Sequence, residues 1–131
     1  MSIVFDTEAL LAFYLGEPGG KEVENRLVKM TKGEMRGYLS IVNLTELYYI
    51  LHRRSPELAE EKERNLRGYG LEIVPVDDGV LWKEAAKTKA GYSLSLADAF
   101  AVATARIKKA NLLVGRDSEF DGIDIVLERI T

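Results

Sequence analysis

Ser95-Leu96-Ala97-Asp98-Ala99-Phe100-Ala101-Val102-Ala103-Thr104-Ala105 is the stretch around which this chain is organised. At helical spacing Ala97, Ala101 and Ala105 share one face, with Leu96, Phe100 and Ala103 close by, so the helix is apolar on nearly every side. Such a helix is expected to be buried, and its small residues let it approach a sheet closely. Asp98 nevertheless stands in its first turn, with no cation among its sequence neighbours. A lone buried charge is costly unless something pairs with it. One reading makes Ser95 the helix cap and Asp98 the partner that completes a capping box, helped by the helix dipole. The other makes Asp98 part of a site, and the rest of the chain offers three more carboxylates in comparable positions.

The 131 residues are expected to form a single domain, 1–131, with a sizeable core. A hydrophobic content of 47% beside 30% charged residues is that of an ordinary globular protein. No apolar run is long enough to span a membrane, and the N-terminus shows no basic-then-apolar leader. Cysteine is absent, which excludes disulfides and thiol chemistry, and a cytoplasmic location is expected. A net charge of −3 gives no global attraction to nucleic acid, so any such contact needs a local basic patch. Glutamine is missing while Glu, Lys and Arg abound, a composition that leans toward a thermophilic source.

Outward from the central helix, strands and helices alternate. Ile3-Val4-Phe5 reads as a buried parallel strand, followed by a helix over Glu8–Leu15 with Leu11, Tyr14 and Leu15 inward. Glu17-Pro18-Gly19-Gly20 breaks the chain before a helix from about Lys21 to Met30. The pattern then predicts a strand at Tyr38–Ser40, helices over Asn43–Leu51 and Glu57–Arg67, and a strand at Leu71–Val76. A helix from Asp78 to Ala90, the central helix over Ser95–Lys109, and strands at Leu112–Val114 and Ile125–Leu127 complete it. The class expected is α/β, a three-layer α/β/α domain with a central, mainly parallel sheet of four to five strands.

In such sheets ligands collect outside the carboxyl ends of the strands. Four acids fall there. Asp6 follows the first strand, Glu46 lies in the first turn expected for the third helix, Asp98 in that of the central helix, and Asp117 after the fourth strand. Each also has a structural reading as a helix or turn cap, Asn43-x-x-Glu46 having the capping-box spacing. Four carboxylates at one sheet edge repel one another and raise each other's pKa unless a cation neutralises them. Oxygen ligands without His or Cys favour Mg²⁺ or Mn²⁺ over zinc.

These residues resemble a known family. A first strand ending in Asp6-Thr7, the Asn43-x-x-Glu46 helix, the Ser95-Leu96-Ala97-Asp98-Ala99 helix and a late strand followed by Asp117-x-x-Phe120 look like a PIN domain, over Ile3 to about Val126. The small size is most similar to the VapC-type toxins of toxin–antitoxin pairs. The resemblance implies a ribonuclease dependent on one or two Mg²⁺ or Mn²⁺ ions, with a homodimeric assembly and a small cognate antitoxin. It implies Asp6, Glu46, Asp98 and Asp117 as the catalytic acids, with Asp6, Asp98 and Asp117 holding metal, Glu46 acting through a bound water and Asp121 as an additional acid. Thr7, Asn43 and Ser118 would orient those ligands. The family often carries Thr or Ser two residues before the fourth acid, and this chain has Gly115 there instead.

Arg116, Arg53 and Arg54, with His52, offer contacts to RNA phosphates, although cations at a helix C-terminus also suit the dipole. Two rival readings are a PIN-like scaffold that binds RNA or protein without cleaving, and a phosphotransferase of the haloacid-dehalogenase kind. The latter needs a second Asp two residues after the first, where this chain has Glu8.

Overall fold

A computed structural model of the chain describes residues 1–116 and 119–131. Among these residues five strands form one sheet in the order β3-β2-β1-β4-β5, and every pairing is parallel. The strands are β1 (Ser2–Phe5), β2 (Arg36–Ser40), β3 (Glu72–Val74), β4 (Asn111–Val114) and β5 (Leu127–Arg129). Among the described residues six helices accompany them: α1 (Thr7–Tyr14), α2 (Gly20–Thr31), α3 (Ile41–Arg54), α4 (Pro56–Gly68), α5 (Leu81–Gly91) and α6 (Leu96–Lys108).

The strand period of two divides the core. Ile3, Phe5, Leu39 and Leu113 face α1 to α4, packing with Leu10, Leu27, Leu47 and Leu66. Val4, Leu112 and Val114 face the other way, toward Leu81 and Ala85 of α5 and Phe100 to Ala105 of α6. Helices therefore cover both faces, and the domain is a three-layer α/β/α fold. All of Ala99, Ala101, Val102, Ala103, Thr104 and Ala105 are buried, as a helix apolar all round requires. Leu96 departs from that pattern at 56% exposed, because it lies at the helix start beyond the strand ends.

Several boundaries differ from those expected. Helix α3 begins at Ile41, since Ser40, the last residue of β2, is itself the cap and leaves no loop between them. Asn43 is thus not a cap, and Glu46 lies in the second turn rather than the first. In α1 the buried residues are Thr7, Ala9, Leu10 and Ala12, while Leu11, Tyr14 and Leu15 are half-buried. Strand β3 stops before Pro75, which has no N–H to give a ladder. Helix α5 starts at Leu81 rather than Asp78, Asp77 instead accepting the Gly79 N–H at 2.7 Å in a turn. β5 lies two residues later than predicted, with Leu127 opposite Leu112, where Glu128 is held by Arg26 and by Asn111, each at 2.9 Å.

Candidate active site

Strand order in the sheet reverses direction between β1 and β4, since β2 and β3 lie to one side of β1 and β4 and β5 to the other. A crevice opens at the carboxyl ends of strands at such a point. Here it is a cleft of about 410 Å³, lined by Asp6, Thr7, Glu8, Leu11, Glu46, Ile50, Ser93, Ser95, Asp98 and Glu119. Among the described residues no Lys, Arg or His lines it.

Three helices begin at this cleft, and one buried side chain ties them together. Asn43, fully buried in the first turn of α3, gives its Nδ2–H groups to Thr7 Oγ1 of α1 at 3.2 Å and to the Ala97 carbonyl of α6 at 3.1 Å. Its Oδ1 accepts the Ser40 hydroxyl at 2.6 Å, its backbone N–H donates to Ser40 Oγ at 3.1 Å, and its carbonyl accepts the Thr7 hydroxyl at 3.3 Å. Ser40 is therefore the cap of α3, its hydroxyl bonded to both the backbone N–H and the side chain of Asn43. Because the network is buried and the Asn43 side chain is fully engaged, it locks the starts of α1, α3 and α6 in register. The positive ends of three helix dipoles consequently meet at the cleft, a setting that favours carboxylates and phosphate alike. Asn43→Ala leaves the Ser40 and Thr7 hydroxyls and the Ala97 carbonyl short of a partner, and should cost about 2–3 kcal/mol in chemical denaturation. A loss within experimental error would show that the network does not hold the helices.

Asp6 is only 1% exposed. Its backbone N–H continues the ladder to the Leu113 carbonyl at 2.9 Å, and Oδ2 caps α1 by accepting the Glu8 N–H at 3.3 Å. Among the described residues Oδ1 is buried without a hydrogen-bond partner. Capping accounts for one oxygen and leaves the other unexplained. Burial, then the neighbouring charge of Asp98, hold the Asp6 carboxyl well above its ordinary pKa; the Glu8 N–H opposes the rise, and the charges of Glu8 and Glu46 add to it. Asp98 is half-buried in the first turn of α6, where Ser95 Oγ accepts its N–H at 3.1 Å. Among the described residues nothing donates to its carboxylate, so the capping box closes from one side only. Glu46 reaches the same cleft from α3, with Ile50 one turn further on.

The other expected residues fall differently. Asp117 and Ser118 lie outside the described residues. Asp121 pairs with Arg129 and does not line the cleft. Arg53 stacks over the Tyr49 ring at 4.9 Å, and neither it nor Arg54 lines the cleft. Arg116 lines a neighbouring cleft and donates to the Thr131 carbonyl oxygen at 3.4 Å. Glu8 and Glu119 join the cleft without having been singled out by the sequence pattern. For Glu8 a signal existed in its place two residues after Asp6.

Among the described residues no three acids stand close enough to cage an ion unaided. The donor chemistry nonetheless fits a hard divalent cation. It is all oxygen, and one buried carboxylate oxygen lacks any other partner.

A family model of the PIN domain matches residues 3–126. This chain belongs to the PIN-domain family. No curated protein sequence matches it. Its fold is similar to that of a chain in the VapBC2 complex of Rickettsia felis bound to a promoter DNA fragment, with a TM-score of 0.82 and 19% identity over 100% of both chains. It is also similar to VapC20 of Mycobacterium tuberculosis, a toxin that cleaves the sarcin–ricin loop, with a TM-score of 0.71 and 20% identity over 95% of this chain and 96% of that one. FitAcB of Neisseria gonorrhoeae gives a TM-score of 0.66 and 19% identity over 95% of each chain. The PIN assignment displaces the haloacid-dehalogenase reading. No helix of this PIN domain, among the described residues, is long and apolar enough to cross a membrane.

Proposed function

We propose that this PIN domain is a divalent-metal-dependent ribonuclease, the toxin of a toxin–antitoxin pair. The observation that carries the reading is Asp6 Oδ1, a buried carboxylate oxygen with no partner among the described residues, in a cleft shared with Asp98 and Glu46. Capping leaves it without a partner, whereas a bound cation supplies one. Asp6 and Asp98, with Asp117, would hold Mg²⁺ or Mn²⁺. The ion, when bound, neutralises charge on the scissile phosphate and favours ionisation of water.

The protein's own groups then divide the remaining work. Glu46 orients the attacking water and accepts its proton, as a carboxylate at a cleft wall can. The water oxygen bonds to phosphorus, the bond from phosphorus to the ribose 3′-oxygen breaks, and that oxygen takes up a proton. The products carry 5′-phosphate and 3′-hydroxyl ends. The three helix starts favour the phosphate, and Arg116, which lines the adjoining cleft, would meet the RNA backbone beyond the site. Two proteins that share the fold are, by their names, a VapBC complex and an RNA-cleaving VapC toxin, which supports a small antitoxin partner and an RNA substrate here. A homodimer is inferred from the family resemblance.

Purified protein with generic single-stranded RNA tests the reading. Cleavage is expected with millimolar Mn²⁺, none with EDTA, and fragments ligatable through a 5′-phosphate. Cleavage that survives EDTA, or 2′,3′-cyclic phosphate ends, would overturn it. Metal-dependent RNA binding with no cutting would favour the silent-scaffold alternative.

A further inference from the structure

Glu8 is a carboxylate to which the proposed chemistry gives no task, yet the structure seats it between two clefts. It lines the acidic cleft with Asp6, Glu46 and Asp98. It also lines the adjoining one, about 400 Å³, with Ala12, Glu17, Pro18, Arg116 and Ile130, and among the described residues it is the one common to both. Its backbone N–H is tied to Asp6 Oδ2, so the side chain departs from a point in register with Asp6.

Gly115, the first residue after β4, explains how the side chain gets there. A Cβ at Gly115 would stand 2.5 Å from Glu8 Cδ and 2.7 Å from Glu8 Cγ and Oε1, with no other group as near. Those separations are well inside contact distance, so the Glu8 carboxylate occupies the volume of a side chain at 115. The backbone of Gly115 is not in the left-handed region, so the residue is not required by a turn. Its missing side chain makes room for Glu8.

We propose that Glu8 is a positioning carboxylate of the metal site, admitted over the end of β4 by Gly115 and acting through water on the cation held by Asp6 and Asp98. The proposal rests on the metal-dependent reading above. It follows from placement: Glu8 lines the same cleft as Asp6, Glu46 and Asp98, beside an Asp6 oxygen with no partner among the described residues. Carboxylates placed just outside the ligands hold those ligands and their waters in orientation, and losing one typically weakens metal binding by 10–100-fold, in order of magnitude.

Mn²⁺ binding to the full chain, read by the electron paramagnetic resonance signal of free Mn²⁺, tests this without any assay of cleavage. Glu8→Gln keeps the shape over Gly115 and removes the charge, and should weaken Mn²⁺ binding about tenfold. Gly115→Ala, which pushes Glu8 aside, should weaken it comparably. Combining the two should be no worse than either alone, because both remove one contribution. A purely structural role predicts no change in Mn²⁺ affinity for the isosteric Glu8→Gln. Parent-like binding by Glu8→Gln and Gly115→Ala, with binding abolished in Asp6→Asn, would overturn the role of Glu8 and leave the metal reading standing. A parent protein that takes up no Mn²⁺ would overturn both. Should Glu8→Gln fail to fold, Gly115→Ala alone decides, with parent-like binding counting against the proposal.

Discussion

Asp98→Asn is expected to lower Mn²⁺-dependent RNA cleavage by roughly a thousandfold or more, which corresponds to about 4 kcal/mol of lost transition-state stabilisation. The helix should survive the change. Its cap is the Ser95 hydroxyl accepting the Asp98 backbone N–H, and Asn retains that N–H. The carboxylate itself accepts no hydrogen bond among the described residues, so its loss breaks no structural contact there. Circular dichroism should match the parent, and the urea midpoint in EDTA should match or exceed it, because the charge that opposes ionised Asp6 is gone. A folded variant that cuts as fast as the parent would remove Asp98 from the site. A variant that unfolds would instead return it to a helix-capping role.

Asp6→Asn should change stability in a direction set by pH. The folded pKa of Asp6 is raised, chiefly by burial and next by the charge of Asp98. A carboxyl whose pKa is raised on folding contributes stability that is fully present below its unfolded value, about 3.9, and is lost as pH rises through the folded value. Metal-free parent protein should therefore lose stability as pH rises from 4 toward 8, and Asp6→Asn should flatten that slope. At the upper end the variant should be the more stable of the two, because it has no carboxyl to ionise in that buried setting. The Asn oxygen can still accept the Glu8 N–H, so the α1 cap is kept. Millimolar Mn²⁺ should reverse the order. A ligand at a hundred times its dissociation constant stabilises the native state by about 2.7 kcal/mol, and the variant has lost a principal ligand. Thermal melts of both proteins across pH, with EDTA and with Mn²⁺, supply the comparison. A variant less stable in both buffers, beside a parent indifferent to Mn²⁺, would leave Asp6 a helix cap only.

The two acids show why local pattern and site chemistry are hard to separate in this chain. Asp6 is both a cap and something more, because a carboxylate has two oxygens and α1 uses one of them. Residue type and position relative to a strand or helix are local properties, so Asp6 and Asp98 are legible as candidates from the amino acids around them. Glu8 is legible only through its place two residues after Asp6, and its position in the cleft is not, since that depends on the absent side chain of Gly115, over a hundred residues away. Asn43 is legible as a helix-start residue but not as the tie between three helices, because its partners Thr7 and Ala97 come from distant parts of the chain. Arg53 and Arg54 read as phosphate contacts or, more readily, as dipole partners at a helix end, and neither lines the cleft.

The sequence by itself determined the alternation of strand and helix, the parallel sheet and the burial of α6. Each of these follows from hydrophobic period and from short apolar runs, which neighbouring residues encode. It also carried the family, because the motifs around Asp6, Asn43, Glu46 and Asp98 recur in order along one chain. Tertiary structure alone decided the strand order, the point where β1 and β4 diverge, and hence which carboxylates share one cleft. It also decided that Asp121 is occupied by Arg129 and that Glu8 stands over Gly115. Those outcomes depend on contacts between residues far apart in sequence, and on the low dielectric that burial creates around Asp6, neither of which exists until the layers have packed.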